Sequence, residues 1–180
     1  KIFESPTPGA NLTAVAGSSV DCNAAALRTP SSAHLTPTGR LVVADSANHR
    51  VLIWNRVTSG PLGNADVVLG QQTMTACEAN AGGTSPGDST LSGPRSVWSD
   101  GNRLIVADTG NHRVLVWDTL PTTSFQPAST VLGQRGFTDA QPNAGGGSIP
   151  SAMSLATPVA ADENGAGQLA VTDEQNNRVL

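Results

Sequence analysis

Residues 104–118 read LIVADTGNHRVLVWD, and this stretch decides the fold because the chain contains it three times. Residues 41–55 read LVVADSANHRVLIWN, and residues 169–180 read LAVTDEQNNRVL. The aspartates at 45, 108 and 173 show that the pattern recurs about every 64 residues. Internal repetition at a fixed period of this size is typical of proteins built from similar structural units.

Each copy predicts a small antiparallel sheet. Short runs of Val, Ile and Leu bounded by Gly, Pro, Asn and Asp favour strands, which in the middle copy cover residues 95–99, 104–107, 113–117 and 130–133. The segments 100–102 and 108–111 between them carry the Asp, Gly and Asn of tight turns. We therefore expect four-stranded meanders without helices, joined by long loops of about 20 residues with little pattern of their own.

A single small meander cannot bury both of its faces, so the copies must stack on one another. Four strands per copy favour radial stacking into the blades of a β-propeller. The predicted fold is therefore all-β, with one partial propeller over residues 1–180 and approximate repeats at 1–71, 72–134 and 135–180, the last copy being incomplete.

The copies resemble NHL repeats, in which an apolar strand ends in Ala-Asp and is followed, after a short turn, by Asn-His and a second apolar strand. The matching tripeptides are Asn48-His49-Arg50 and Asn111-His112-Arg113, and the third copy departs with Asn176-Asn177-Arg178. The resemblance implies four-stranded blades in a ring that usually has six. About three blades are present here, so we expect the other blades to come from a longer chain, a second copy or another chain.

The repeated polar residues have two readings. In a catalytic reading, Asp45 and His49 form an acid/base pair. A structural reading has Asp45, Asp108 and Asp173 accept hydrogen bonds from the turn, while Arg50, Arg113 and Arg178 pair with them or with the next blade. Repetition favours the structural reading, because a catalytic site is not needed in every blade and the third copy has Asn177 in place of histidine.

Two residues outside the repeated motif are candidates for ligand binding. Aligning the copies by their second strands places His34 opposite Val97, and Trp98 opposite Leu35. Both candidates lie on the first strand, which lines the central channel of a propeller. A histidine bonded to a neighbouring carbonyl is the structural alternative for His34.

The two cysteines, Cys22 and Cys77, are too few for a structural metal site. They fall in equivalent long loops, and corresponding loops of adjacent blades are neighbours. We therefore predict a disulfide between them, with two free thiols as the alternative.

Composition narrows the partners and the compartment. The net charge of −4 and the scattered arginines offer no basic surface for nucleic acid. No apolar run is long enough to span a membrane. The surplus of Ser, Thr, Asn, Gly and Pro over Lys and Glu favours an exported protein, which is secreted or periplasmic.

These observations lead to two functional hypotheses. The first is a non-enzymatic propeller outside the cytoplasm that binds or scaffolds a protein or small ligand and has no cofactor. The alternative is a hydrolase or lyase, similar to lactonases or peptide-amidating lyases, with calcium or zinc in the central channel. NHL-type propellers include both binding proteins and enzymes, so the resemblance alone does not choose between them.

Overall fold

The computed structural model describes residues 22–57, 62–145, 155, 158–164 and 168–180. These residues form three antiparallel sheets, which we call the first, second and third blades. The strands of the first blade are β1 (Pro30–Leu35), β2 (Leu41–Asp45), β3 (Arg50–Trp54) and β4 (Val67–Leu69). Those of the second are β5 (Ser96–Ser99), β6 (Leu104–Asp108), β7 (Arg113–Trp117) and β8 (Thr130–Leu132). The third blade contains β9 (Pro158–Glu163), β10 (Leu169–Asp173) and β11 (Arg178–Val179).

Each of the first two sheets is a meander in which strands adjacent in sequence are adjacent in space. The all-β class and the four-stranded antiparallel blade predicted from the sequence are thus confirmed. The described residues contain no α-helix, and a short 3₁₀ turn joins the second and third strands of every blade. Since no described helix is long and apolar, the described part of the chain includes no candidate helical membrane span.

The second strands are apolar at nearly every position because both of their faces are covered. In β2, Val42 and Ala44 face the second blade, where they pack with Val106 and Trp117 in one buried cluster. Val43 lies on the opposite face of β2 in a separate cluster. A sheet buried on both faces reads as a continuous apolar run rather than as an alternating one, which explains the sequences LVVAD and LIVAD.

The end of the fourth strand is a tight passage between blades. Gly70 has a φ of +87°, and a Cβ built on it would lie 2.8 Å from the Cβ of Leu91 and 2.9 Å from the carbonyl oxygen of His49. Gly133 repeats this arrangement against Leu155. Only glycine combines a positive φ with so close an approach, so the repeated Leu-Gly-Gln sequence has a structural cause.

The first strands of neighbouring blades lie side by side, with β1 beside β5 and β5 beside β9. The Val97 N–H donates to Ser32 Oγ over 3.3 Å, and Ser31 Oγ donates to the Pro94 carbonyl over 3.2 Å. These links run from blade to blade at the innermost strands, as a radial propeller arrangement requires.

The long loops contain a repeated turn that their sequence pattern did not indicate. Asn80 and Asn143, which both begin an Asn-Ala-Gly-Gly sequence, have left-handed backbones with φ of 53° and 54°. Their N–H groups donate to the carbonyls of Leu91 and Leu155, each over 2.9 Å. The regularity of these loops is a backbone turn and not an apolar periodicity, so the sequence pattern did not show it.

Candidate functional site

The repeated Asp, Asn and Arg of each blade form a hydrogen-bonded group, buried in the first two blades, which we call the joint. In the second blade, Asp108 Oδ2 accepts hydrogen bonds from Arg113 Nε and Asn111 Nδ2, both at 2.8 Å. Its Oδ1 accepts from the Ser92 N–H at 2.7 Å. Asp108 and Arg113 are fully buried, so this is an ion pair without contact to water.

The first and third blades repeat the joint with nearly the same geometry. Asp45 Oδ2 accepts from Arg50 Nε and Asn48 Nδ2, again at 2.8 Å each. Asp173 Oδ2 accepts in the same way from Arg178 and Asn176, at 2.9 and 2.6 Å. The Asp, Asn and Arg of the three copies, nine residues in all, therefore meet within their own blades. The central residues of the tripeptides, His49, His112 and Asn177, are not part of this group.

In the first two blades, the joint arginine also fastens two loops to its blade. The Arg113 Nη1 donates to the Phe137 carbonyl, in the loop that leaves the second blade, at 2.5 Å. Its Nη2 donates to the carbonyls of Gly87 and Thr90, in the loop that enters the blade, both at 2.9 Å. Arg50 binds Met74 on one side and Asn23 and Ala26 on the other in the same manner. The arginine thus holds its own blade between two loops, whereas the sequence prediction also allowed a pairing with the next blade.

In the joint, burial and the surrounding hydrogen-bond donors act on the pKa of the Asp108 carboxyl in opposite directions. Complete burial raises the pKa of the Asp108 carboxyl, and the charge of Arg113 with the donors of Ser92 and Asn111 opposes that rise. Arg113 makes four hydrogen bonds to carbonyl and carboxylate oxygens, counting both acceptors of Nη2. Because the carboxylate and the guanidinium are bonded to each other and to the protein around them, the pair agrees with a structural role.

The central residue of the tripeptide occupies a strained backbone position. His49, His112 and Asn177 all have left-handed conformations, with φ of 52°, 54° and 50°. Asparagine tolerates this conformation better than most residues, so the departure in the third copy keeps the turn. The side chain of His49 reaches the next blade, where its Nδ1 accepts a hydrogen bond from the Gly93 N–H at 3.0 Å. Burial lowers the pKa of His49, against the opposing effect of the Glu78 and Asp108 carboxylates.

His34 and Trp98 occupy the same place in successive blades, contrary to the sequence alignment. The strand register pairs His34 with Val42 and Trp98 with Ile105, and those two partners are equivalent in the repeat. The alignment was wrong by one residue because the turn between β1 and β2 is one residue longer than the turn between β5 and β6. Asp162 takes the equivalent register position in the third blade, opposite Ala170.

The two aromatic rings are neighbours. The ring centroids of His34 and Trp98 are 6.2 Å apart, with an angle of 47° between the planes. Both residues are half-buried, so each ring keeps part of its surface open to solvent. We call His34 and Trp98 the inner-strand site, since they stand on β1 and β5 near the turns that end these strands.

Asp100 lies in the turn that follows Trp98. Its Oδ1 accepts hydrogen bonds from the N–H groups of Asn102 and Arg103, at 2.7 and 2.6 Å. These two bonds, the Arg103 bond above all, lower the pKa of the exposed Asp100 carboxyl. Asp100 is therefore ionised at neutral pH, and Arg103 places a positive charge on the same turn.

Comparison with known families decides the nature of the repeat. The family model described as NHL repeat matches residues 27–54 and 91–117, which span the first three strands of the first and second blades. The first and second blades are therefore similar to NHL repeats. No curated protein matches the chain. NHL repeats imply a β-propeller and suggest a protein-interaction module, and the antiparallel blades agree with that architecture.

A disulfide reinforces the first NHL repeat. Cys22 and Cys77 are bonded, with their Cα atoms 6.1 Å apart. Cys22 precedes Asn23, and Cys77 follows Met74 by three residues, so the bond joins the same two loops that Arg50 holds. The second blade fastens its loops through Arg113 with no cysteine at the equivalent places.

Sequence reasoning missed two further parts of the joint. Gln71 is fully buried, and its Nε2 donates to the carbonyls of His49 and Glu78 at 3.0 and 2.8 Å. Gln134 donates to His112 and Gln141 in the same way. The repeated Val-Leu-Gly-Gln sequence was the available signal. Within the described residues, no three His, Cys, Asp or Glu side chains are grouped as a metal site.

Proposed function

We propose that this chain is a non-enzymatic binding or scaffold module that works outside the cytoplasm and takes a protein or small ligand. One observation carries the proposal: in the first two blades, the repeated Asp, Asn and Arg are bound to one another and to the adjoining loops. The polar residues that recur in the NHL repeats therefore maintain the fold. The residues free to differ between blades, His34 and Trp98, lie half-buried on the inner strands, where a ligand can reach them.

The disulfide supports the proposed compartment. Disulfides persist in secreted and periplasmic proteins and are rare in reducing cytosol. The Cys22–Cys77 bond joins two cysteines that are 55 residues apart in sequence. Closing a loop of this length stabilises the folded chain, and the bond persists only in an oxidising compartment. The acidic net charge of −4 supports a partner other than nucleic acid.

In our proposal, one partner of this chain is the set of blades that completes the propeller. Four-stranded blades bury their faces only against other blades, so the ring is completed by a longer chain or by a second copy. The binding surface then lies on the axis of the completed ring.

The test is to isolate the protein that contains this chain from its native source without reductant. Calcium and zinc are then measured, and hydrolysis of a panel of lactones, aryl esters and peptide substrates is assayed. We expect no stoichiometric metal and no turnover, together with saturable binding of at least one ligand. Thiol labelling after denaturation is expected to find Cys22 and Cys77 unreactive.

Two results would overturn the proposal. Stoichiometric calcium or zinc with turnover that stops when the metal is removed would make the protein a propeller enzyme. Two reactive thiols per chain in the freshly isolated protein would argue against an extracytoplasmic location.

A further inference from the structure

His34 and Trp98 are the aromatic residues of β1 and β5. Two residues before them, these strands hold Ser32 and Ser96, so a small side chain recurs there. At the site itself the blades hold an imidazole and an indole with an inter-ring distance of 6.2 Å. Aromatic rings occupy this position in two adjacent blades, and Asp162 takes it in the third, so the position is a candidate for recognition.

We propose that the inner-strand site binds an organic cation, an ammonium or guanidinium group, against the face of Trp98. This inference rests on the proposed binding function and specifies the chemistry of its ligand. Indole has the strongest attraction for cations among the aromatic side chains. Trp98 is half-buried, so part of its surface remains open and the rest is held by the protein.

The hydroxyl groups around the site argue against a sugar. Ser32 Oγ accepts the Val97 N–H, and Ser99 Oγ donates to the Arg103 carbonyl at 2.5 Å. Thr36 and Thr38 share a hydrogen bond of 2.9 Å between their own hydroxyls. A sugar needs several fixed polar partners to orient its hydroxyls, whereas these groups are already bonded to the protein.

The overall charge of the chain favours a cation. Asp100 is exposed two residues after Trp98, and its turn hydrogen bonds keep it ionised. Arg103 on the same turn carries the opposite charge, so this turn has no net charge of its own. The whole chain carries a net charge of −4, which attracts cations to the surface and repels anions. His34 lies beside the indole, with the two ring centroids 6.2 Å apart.

The fluorescence of the chain provides a direct readout. The chain has three tryptophans and no tyrosine. Trp54 and Trp117 are 4% and 1% exposed, so a ligand at the surface changes the emission of Trp98 in preference to theirs. The full chain is titrated with choline and, separately, with 3,3-dimethylbutanol, which has nearly the same shape without the charge. Capped lysine and arginine peptides and methyl glucoside complete the set.

We expect choline to bind at least about 5-fold more tightly than its neutral isostere, with Trp98→Leu weakening choline by about 5- to 30-fold. Trp98→Phe keeps an aromatic face and is expected to lose less. Because these variants remove the reporter, their affinities are measured by calorimetry, and thermal unfolding shows that they fold. Val179→Thr, at an exposed position on β11, is the control and is expected to stay within about 2-fold.

The arms of the experiment separate the sources of the cation. Tighter binding of the capped lysine or arginine peptide would identify a partner protein, and tighter binding of choline a small molecule. Equal binding of choline and its isostere, preference for methyl glucoside, or unchanged affinity in folded Trp98→Leu would each overturn the cation inference. These results would leave the proposed binding function standing, since that function fails only through metal-dependent turnover or a reducing compartment.

Discussion

The joint and the inner-strand site stand in the same blades but follow opposite rules. In the joint, Asp45 and Asp108 make the same two side-chain hydrogen bonds at the same distance of 2.8 Å. At the inner-strand site, the equivalent residues of the two blades are His34 and Trp98. Repetition in this chain therefore marks what every blade needs in order to pack, and divergence marks where one blade can do what the others do not. The experiments below test that distinction through the stability of the joint.

The largest effect is expected from Asp108→Ala. The substitution leaves the fully buried Arg113 without its carboxylate, and removing one partner of a buried ion pair costs about 3–5 kcal/mol. Urea unfolding measures the loss. Ligand affinity per folded molecule is expected to stay the same, because Asp108 lies in the joint and not at the inner-strand site.

The matched control is Glu174→Ala. Glu174 pairs with Arg95 at 3.5 Å, but both side chains are more than half exposed, so the expected loss is below about 1 kcal/mol. Unchanged unfolding of Asp108→Ala together with lost ligand binding would contradict the structural reading of the joint.

The next effect concerns a difference between the first two blades at the loops that the joint holds. The Cys22–Cys77 bond links the loops held by Arg50, while Arg113 holds its loops alone. Replacing both cysteines with serine is expected to lower the free energy of unfolding by about 2–4 kcal/mol. Hydrogen exchange should show the loss around β2 and β3, with β6 and β7 less affected.

Reductant added to the unmodified chain is the control for this experiment, since it should reproduce the same loss without any change of side chain. Equal loss of protection in both blades would mean that the disulfide stabilises the first and second blades together and not the first joint alone.

The sequence predicted the blades well because their strands depend on local apolar runs and tight turns. It predicted β6 to end at Ala107, and the structure extends it to Asp108, which pairs with Arg113 across the sheet. The sequence alignment did not place His34 and Trp98 at equivalent positions. One extra residue in a turn changes which face a side chain takes, and only the hydrogen-bonded register reveals it.

The contacts of the joint arginines were also hidden from the sequence. Arg113 was expected to pair with Asp108, and it does so, but its remaining donors bind carbonyls of Gly87, Thr90 and Phe137. Backbone carbonyls carry no residue-type signature, so a pattern of letters cannot point to them. Charge pairing was visible in the sequence, and loop fastening required coordinates.

The smallest effect is expected from His49→Asn, which copies the residue found at 177 in the third blade. Burial lowers the pKa of His49 in the folded chain below the usual 6.5, so the unfolded chain binds the proton more readily. The stabilising contribution of neutral His49 is therefore complete above pH 6.5 and is lost as the pH falls toward the folded pKa. The same protonation removes the acceptor of the Gly93 N–H, because Nδ1 then carries a hydrogen of its own. Asparagine keeps the left-handed turn and does not titrate.

Urea unfolding at pH 7.5 and pH 5 should show the unmodified chain losing stability relative to His49→Asn at the lower pH, by less than about 1 kcal/mol because the side chain is only half-buried. A difference between the two proteins that is constant with pH, or that widens in favour of the unmodified chain under acid, would show that His49 does not link the blades through its neutral ring.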